Sequence, residues 1–125
     1  MITWFKNKEV EGYASLYSTN ITLNATSSIP FARAYKVRLG RDEEGNLAVE
    51  PLDRTRVESG SIDGNGLYDI SYHKSYSRIS STQLMGLLEE SFGFSLGKQA
   101  RKFKTVFDSA SGCLIIKVAG QGVTL

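Results

Sequence analysis

Eight basic side chains stand in two stretches that contain no acid. Arg33, Lys36, Arg38 and Arg41 occupy the first, and Lys98, Arg101, Lys102 and Lys104 the second. Cations spaced along an extended chain suit phosphate oxygens, because each neutralised phosphate releases condensed counterion. The plainer reading of each stretch is a solvated strand face. Net charge is +2, from 15 basic and 13 acidic residues, too mild to require a nucleic acid by itself. The distribution therefore carries more weight than the total. Acids gather elsewhere, in Asp42-Glu43-Glu44 and Glu89-Glu90.

Other chemistry has little to stand on. His73, the one histidine, sits in a polar stretch between Tyr72 and Lys74, and no nucleophile motif accompanies it. Cys113, the one cysteine, falls in an apolar run and reads as a buried, inert thiol. One histidine and one cysteine do not make a zinc site. The run from Ser59 to Gly66 fits neither a phosphate loop nor a dinucleotide fingerprint. Asp63-Gly64-Asn65-Gly66 resembles part of a calcium loop but lacks the distal glutamate, so a plain turn is expected. No cofactor, no metal and no catalytic residue are expected. A pocket joining Asp69, His73 and Asp108 would be the mark of a small enzyme. Six tyrosines suit base stacking and a small core equally well.

The elements that must position the cations follow from pattern. At 125 residues and 41% hydrophobic, the chain fits one domain, 1–125, with one core. No apolar run has the roughly 18 residues of a membrane span, and no leader is visible at Met1-Ile2-Thr3-Trp4-Phe5-Lys6, so a cytoplasmic protein is expected. Ile2 to Phe5 reads as a short strand, Gly12 to Leu16 as a weaker one, and Asn20 to Asn24 as a third. Asn24 is placed to cap one helical turn before Pro30 ends it. Tyr35, Val37 and Leu39 alternate with Lys36 and Arg38, which sets the cations on one face of a strand. Asp42 to Asn46 turns, Leu47 to Glu50 returns, and Pro51 stops the strand. Ser59 to Gly66 reads as a linker. Leu67 to Ile79 is extended. Ser80 and Gln83 form a capping-box pattern ahead of Leu84, Leu87, Leu88 and Phe92, a helical stripe that Gly93 ends. Phe103 to Phe107 and Cys113 to Val118 make a second hairpin, and Gly120 to Gly122 reads as a fraying tail. The expected class is α+β: a small, mostly antiparallel β domain with one main helix.

One unit is spelled twice. Lys36-Val37-Arg38-Leu39 stands beside Lys104-Thr105-Val106-Phe107, and the run Gly45 to Glu50 beside Gly112 to Lys117. Ile21-Thr22 matches Ile79-Ser80, each just before a helix. Two strand-helix-hairpin repeats, about 12–58 and 67–119, are therefore expected, with a short helix in the first and a long one in the second. Any two hairpins share some of this pattern. Each unit is too small to bury its own apolar face, so the two would pack together.

The order Ile21-Thr22-Leu23-Asn24, short helix, Tyr35 to Leu39, acidic-Gly turn, Leu47 to Pro51 resembles the AbrB/SpoVT/MazE-like swapped-hairpin family. The likeness covers about 30 residues. Asn24 stands where that family usually has proline, and the family's Gly-Asp before the hairpin is absent. Two units in one chain are similar to the MraZ arrangement, without its Asp-x-x-x-Arg signature. The resemblance implies transcription regulation, double-stranded DNA as partner, basic side chains on phosphates and pairing of units, with a homo-oligomer expected. The alternative is a protein-interaction or self-assembly module that uses Leu114-Ile115-Ile116 and exposed sheet edges.

Overall fold

Alternating side chains build most of this molecule, which a computed structural model describes over residues 1–5 and 11–119. Eight strands follow one another: β1 (Tyr13–Leu16), β2 (Asn20–Asn24), β3 (Lys36–Arg41), β4 (Leu47–Leu52), β5 (Ser71–Tyr72), β6 (Tyr76–Ser80), β7 (Arg101–Asp108) and β8 (Cys113–Ile116). Their spatial order is β3-β4-β8-β7-β1-β2-β6-β5, every pair antiparallel. The sheet curls so far that its two edges meet. Val37 and Tyr68 exchange both backbone hydrogen bonds at 2.9 Å, which ties β3 to the segment entering β5.

The register gathers the apolar set inside the curl. Ala14 lies between Leu23 and Phe103, Ile21 opposite Ile79, and Val49 between Leu39 and Leu114. Nearly all of these are fully buried. Helix α3 (Thr82–Phe92) adds Leu84, Met85 and Leu88 to the same core. Helix α1 (Ala25–Ser28) is a single turn whose first orphan amides need a cap, and the Asn24 Oδ1 accepts from the Ser27 N–H at 3.1 Å. Its Ser28 is buried against Ser77, the two hydroxyls 2.7 Å apart, so neither is left unsatisfied. A small α+β domain with one principal helix is thus what the sequence builds. No described helix is long and apolar enough to cross a membrane.

Several local expectations shift. Ile2 to Phe5 forms no strand: it pairs with nothing among the described residues, and Trp4 is 74% exposed. Ser81 rather than Ser80 caps α3, its hydroxyl accepting from the Leu84 N–H at 3.1 Å. Gln83 therefore falls at the second helical position, and the capping box does not form. Pro51 does not stop β4, which runs to Leu52. Opposite it, Val37 spends its N–H and carbonyl on Tyr68, so proline costs the ladder nothing. Helix α2 (Arg54–Glu58), capped by Asp53, occupies a stretch between Pro51 and the linker for which no element was expected. Cys113 is half-buried rather than buried. Glu89, one of the gathered acids, accepts from the Leu96 N–H at 2.8 Å. The tail at Gly120 to Gly122 lies outside the described residues.

Candidate nucleic-acid interface

Strand alternation sorts the eight cations before any contact is considered. In β3 and β7 the side chains at Val37, Leu39, Arg41, Arg101 and Phe103 turn toward the core side. Those at Lys36, Arg38, Lys102 and Lys104 turn outward. Arg41 accordingly lies over the Phe92 ring of α3, 4.7 Å from its centroid. Arg101 covers Phe94 and Phe103 at 5.4 and 6.0 Å and donates to the Ser95 carbonyl at 3.4 Å. Both guanidiniums roof apolar rings at the rim of the core. Arg33 and Lys98 are exposed in the loops before β3 and before β7.

The four outward cations divide again, by what faces them across the ladder. Lys36 makes an ion pair with Asp69 beside the Val37–Tyr68 bridge. That partner holds the ammonium above its ordinary pKa, chiefly through the hydrogen bond. Arg38 meets Glu50 at 2.5 Å, and Glu50 also receives Arg56 at 3.5 Å. Both cations of β3 are therefore locally neutralised. On β7, Lys102 is opposite Ser15. Lys104 is level with Lys117, whose N–H donates to the Lys104 carbonyl at 2.8 Å. Lys102, Lys104 and Lys117 make no ion pair among the described residues.

The two basic stretches do not merge into one patch. Strands β3 and β7 are separated by β4 and β8, roughly 14 Å of sheet. Along the strands, the registers set Arg38 level with Glu50 and Asp108, not with Lys104. Between them lie Ala48, Val106 and Ile115, an apolar strip on the outward face.

The cations of β7 instead continue across β1, β2 and β6. One cross-strand row reads Lys102, Ser15, Thr22, Arg78, Ser71. The next contains Lys104 opposite Tyr13, and Asn24 opposite Tyr76, with the Asn24 Oδ1 accepting from the Tyr13 N–H at 3.0 Å. Lys102 lies 4.4 Å over the Tyr13 ring, Arg78 lies 5.2 Å over Tyr76, and His73 stacks on Tyr76 at 4.6 Å. Arg78 is steadied by the Thr22 hydroxyl at 3.1 Å. Among the described residues, Glu11 stands at the rim of this face and accepts from the Tyr13 hydroxyl at 2.6 Å. That bond, and then the charge of Lys104, lower the Glu11 pKa, while the same bond raises that of Tyr13. Helices α1 and α3 lie on the other side of the sheet, so neither covers these rows.

Arg78, Tyr13, Tyr76 and Lys117 were not singled out from sequence, although Tyr76-Ser77-Arg78-Ile79 shows the alternation that puts Arg78 outward. Asp69, His73 and Asp108 are not brought together: they lie at the β3 seam, the β5–β6 turn and the β7–β8 turn. Among the described residues no three of His, Cys, Asp and Glu cluster to hold a metal. No family model matches the chain, and no match was found among curated proteins or among solved structures.

Proposed function

We propose that this chain binds nucleic acid through the outward face of β7, β1, β2 and β6, as a DNA-binding regulator of AbrB-like type. The observation that carries the reading is the difference between the two cationic strands. Lys36 and Arg38 spend their charge on Asp69 and Glu50, whereas Lys102, Lys104, Lys117 and Arg78 share a face and make no ion pair among the described residues, with Glu11 at its rim bonded to the Tyr13 hydroxyl. Such a surface attracts a polyanion, and the Ser15 hydroxyl beside Lys102 offers a neutral phosphate contact.

The family part of the reading draws support from topology. Each half keeps its own hairpins, β1–β2 and β3–β4, β5–β6 and β7–β8. Every other pairing, β2–β6, β4–β8, β1–β7 and the Val37–Tyr68 seam, crosses between halves. Exchanging β1–β4 for β5–β8 leaves this list of neighbours unchanged, as a duplicated swapped-hairpin unit requires. The left-handed turn glycines, Gly45 and Gly112, then coincide. The register sets Lys36 against Lys102 rather than Lys104, Asp69 against Ser15, and Glu50 against Lys117. On this reading the two cationic sites began alike, and acids have since silenced one.

Fluorescence anisotropy on labelled duplex DNA at low salt tests the proposal. The double variant Lys102→Glu/Lys104→Glu is expected to lose binding, while Lys36→Glu/Arg38→Glu keeps most of it. With about four phosphates neutralised, log K against log salt should fall with a slope of about −3 to −4. Unchanged binding by the β7 double variant removes the reading. The alternative, a self-assembly module, is favoured by one observation: Val106 is 53% and Phe107 46% exposed beside Ala48 and Ile115. It predicts that Val106→Lys shifts the protein to a smaller species in light scattering while DNA binding is absent in the unmodified chain.

A further inference from the structure

A pocket of about 480 Å³ opens between β3, β4 and α3, on the side of the sheet away from the cationic rows. Its walls are mainly apolar, from Leu39, Leu84, Leu87, Leu88 and Phe92. A volume of this size suits a small organic molecule. Leu87 is 48% exposed although it belongs to the apolar stripe of α3, so the stripe is wider than the core it covers.

The charge at the mouth narrows the choice of occupant. Arg41 lines the pocket, its guanidinium over the Phe92 ring, and its side chain has neither an ion pair nor a hydrogen bond among the described residues. The neighbouring acid, Asp42, is committed to its own turn, accepting from the Glu44 and Asn46 N–H groups at 2.9 and 2.8 Å. A ring contact uses none of the guanidinium's five N–H donors, which stay available for a planar anion. Tyr68 and Ser91 also line the pocket, and neither hydroxyl has a partner among the described residues. We infer that this pocket binds a small amphiphilic carboxylate, its alkyl or aryl body against α3 and its carboxylate on Arg41. A cationic or neutral ligand of the same shape leaves the guanidinium without its anion. The site is independent of the nucleic-acid face and stands or falls separately.

Calorimetric titration of the full chain with octanoate, octanol and octylamine tests the assignment. Octanoate is expected to bind at least about tenfold more tightly than octanol, the margin of a charge-assisted hydrogen bond, with octylamine weakest. Arg41→Gln should erase that margin while leaving octanol binding as it was. Ser91→Trp, at an exposed helix position lining the pocket, should block all three. Equal binding of octanoate and octylamine, retention of the margin in Arg41→Gln, or no octanoate binding at millimolar concentration overturns the inference. Circular dichroism of each variant separates lost binding from lost folding.

Discussion

Asp108 shows how one side chain fixes a turn. It opens the β7–β8 reversal, where its carboxylate accepts from the Ser111 hydroxyl at 2.7 Å and from the Ala110 N–H at 3.3 Å. The serine contact, followed by the backbone amides, pulls its pKa below the ordinary aspartate value. A depressed folded-state pKa contributes stability above the unfolded value, lost as pH falls through the folded one. Asp108→Asn should therefore lower the thermal midpoint at neutral pH, and the gap should close as pH falls below the ordinary aspartate range. A gap that stays constant across that range would show that charge plays no part. The same scale explains what the sequence hid about the cations. Lys36, Arg38, Lys102 and Lys104 look alike as residues, and the alternation that turns them outward was legible. Their difference lies partly in Glu50 and Lys117, which face Arg38 and Lys104 across their own hairpins, and partly in Asp69 and Ser15, which reach Lys36 and Lys102 only through pairings between distant strands.

Among elements, the strands that carry their own turn were the most readable. The β3–β4 hairpin is announced by alternation and by Asp42 to Asn46, and α3 by its apolar stripe and Gly93, which takes the left-handed conformation past its last turn. Helix α2 was missed because Arg54-Thr55-Arg56-Val57-Glu58 has no apolar stripe. Only the Asp53 cap and the Arg54–Glu58 pair at 3.1 Å speak for it. Ile2 to Phe5 has the composition of a strand, but a strand also needs a neighbour with unspent backbone groups. Gly12 marks a junction of elements that composition does not reveal. A Cβ there would lie 2.3 Å from the Thr105 Oγ1 and 2.7 Å from the Ser27 Oγ, two hydroxyls that hydrogen-bond to each other at 2.6 Å. Gly12→Ala must push α1 and β7 apart or break that bond, at a cost of about 1–3 kcal/mol. Urea denaturation measures it, and a cost under about 0.5 kcal/mol would mean the junction yields freely.

Across the whole molecule, half of the strand pairings join residues from opposite halves, and those were the least legible part. Hydrophobic periodicity names strands without naming their partners. The loop around Ser59–Gly66 is exposed, and cutting it leaves every strand intact. Fragments 1–62 and 63–125 should each be unfolded alone, because each keeps two hairpins but loses the strands they pair with in the other half. Mixed in equal amounts, they should recover β-sheet circular dichroism and elute together in size-exclusion chromatography. A fragment that folds alone would contradict the interleaved core.

The crossing pairs also set the order in which the chain becomes whole as it leaves the ribosome. Ala14 waits for Phe103, Ile21 for Ile79 and Ala48 for Ile115. Until β8 emerges, the first half offers the open edges of β1 and β4 to whatever else is near. Contacts so distant in sequence close slowly. Unpaired edges exposed during synthesis are the feature through which unfinished chains in general aggregate or exchange elements with a neighbour.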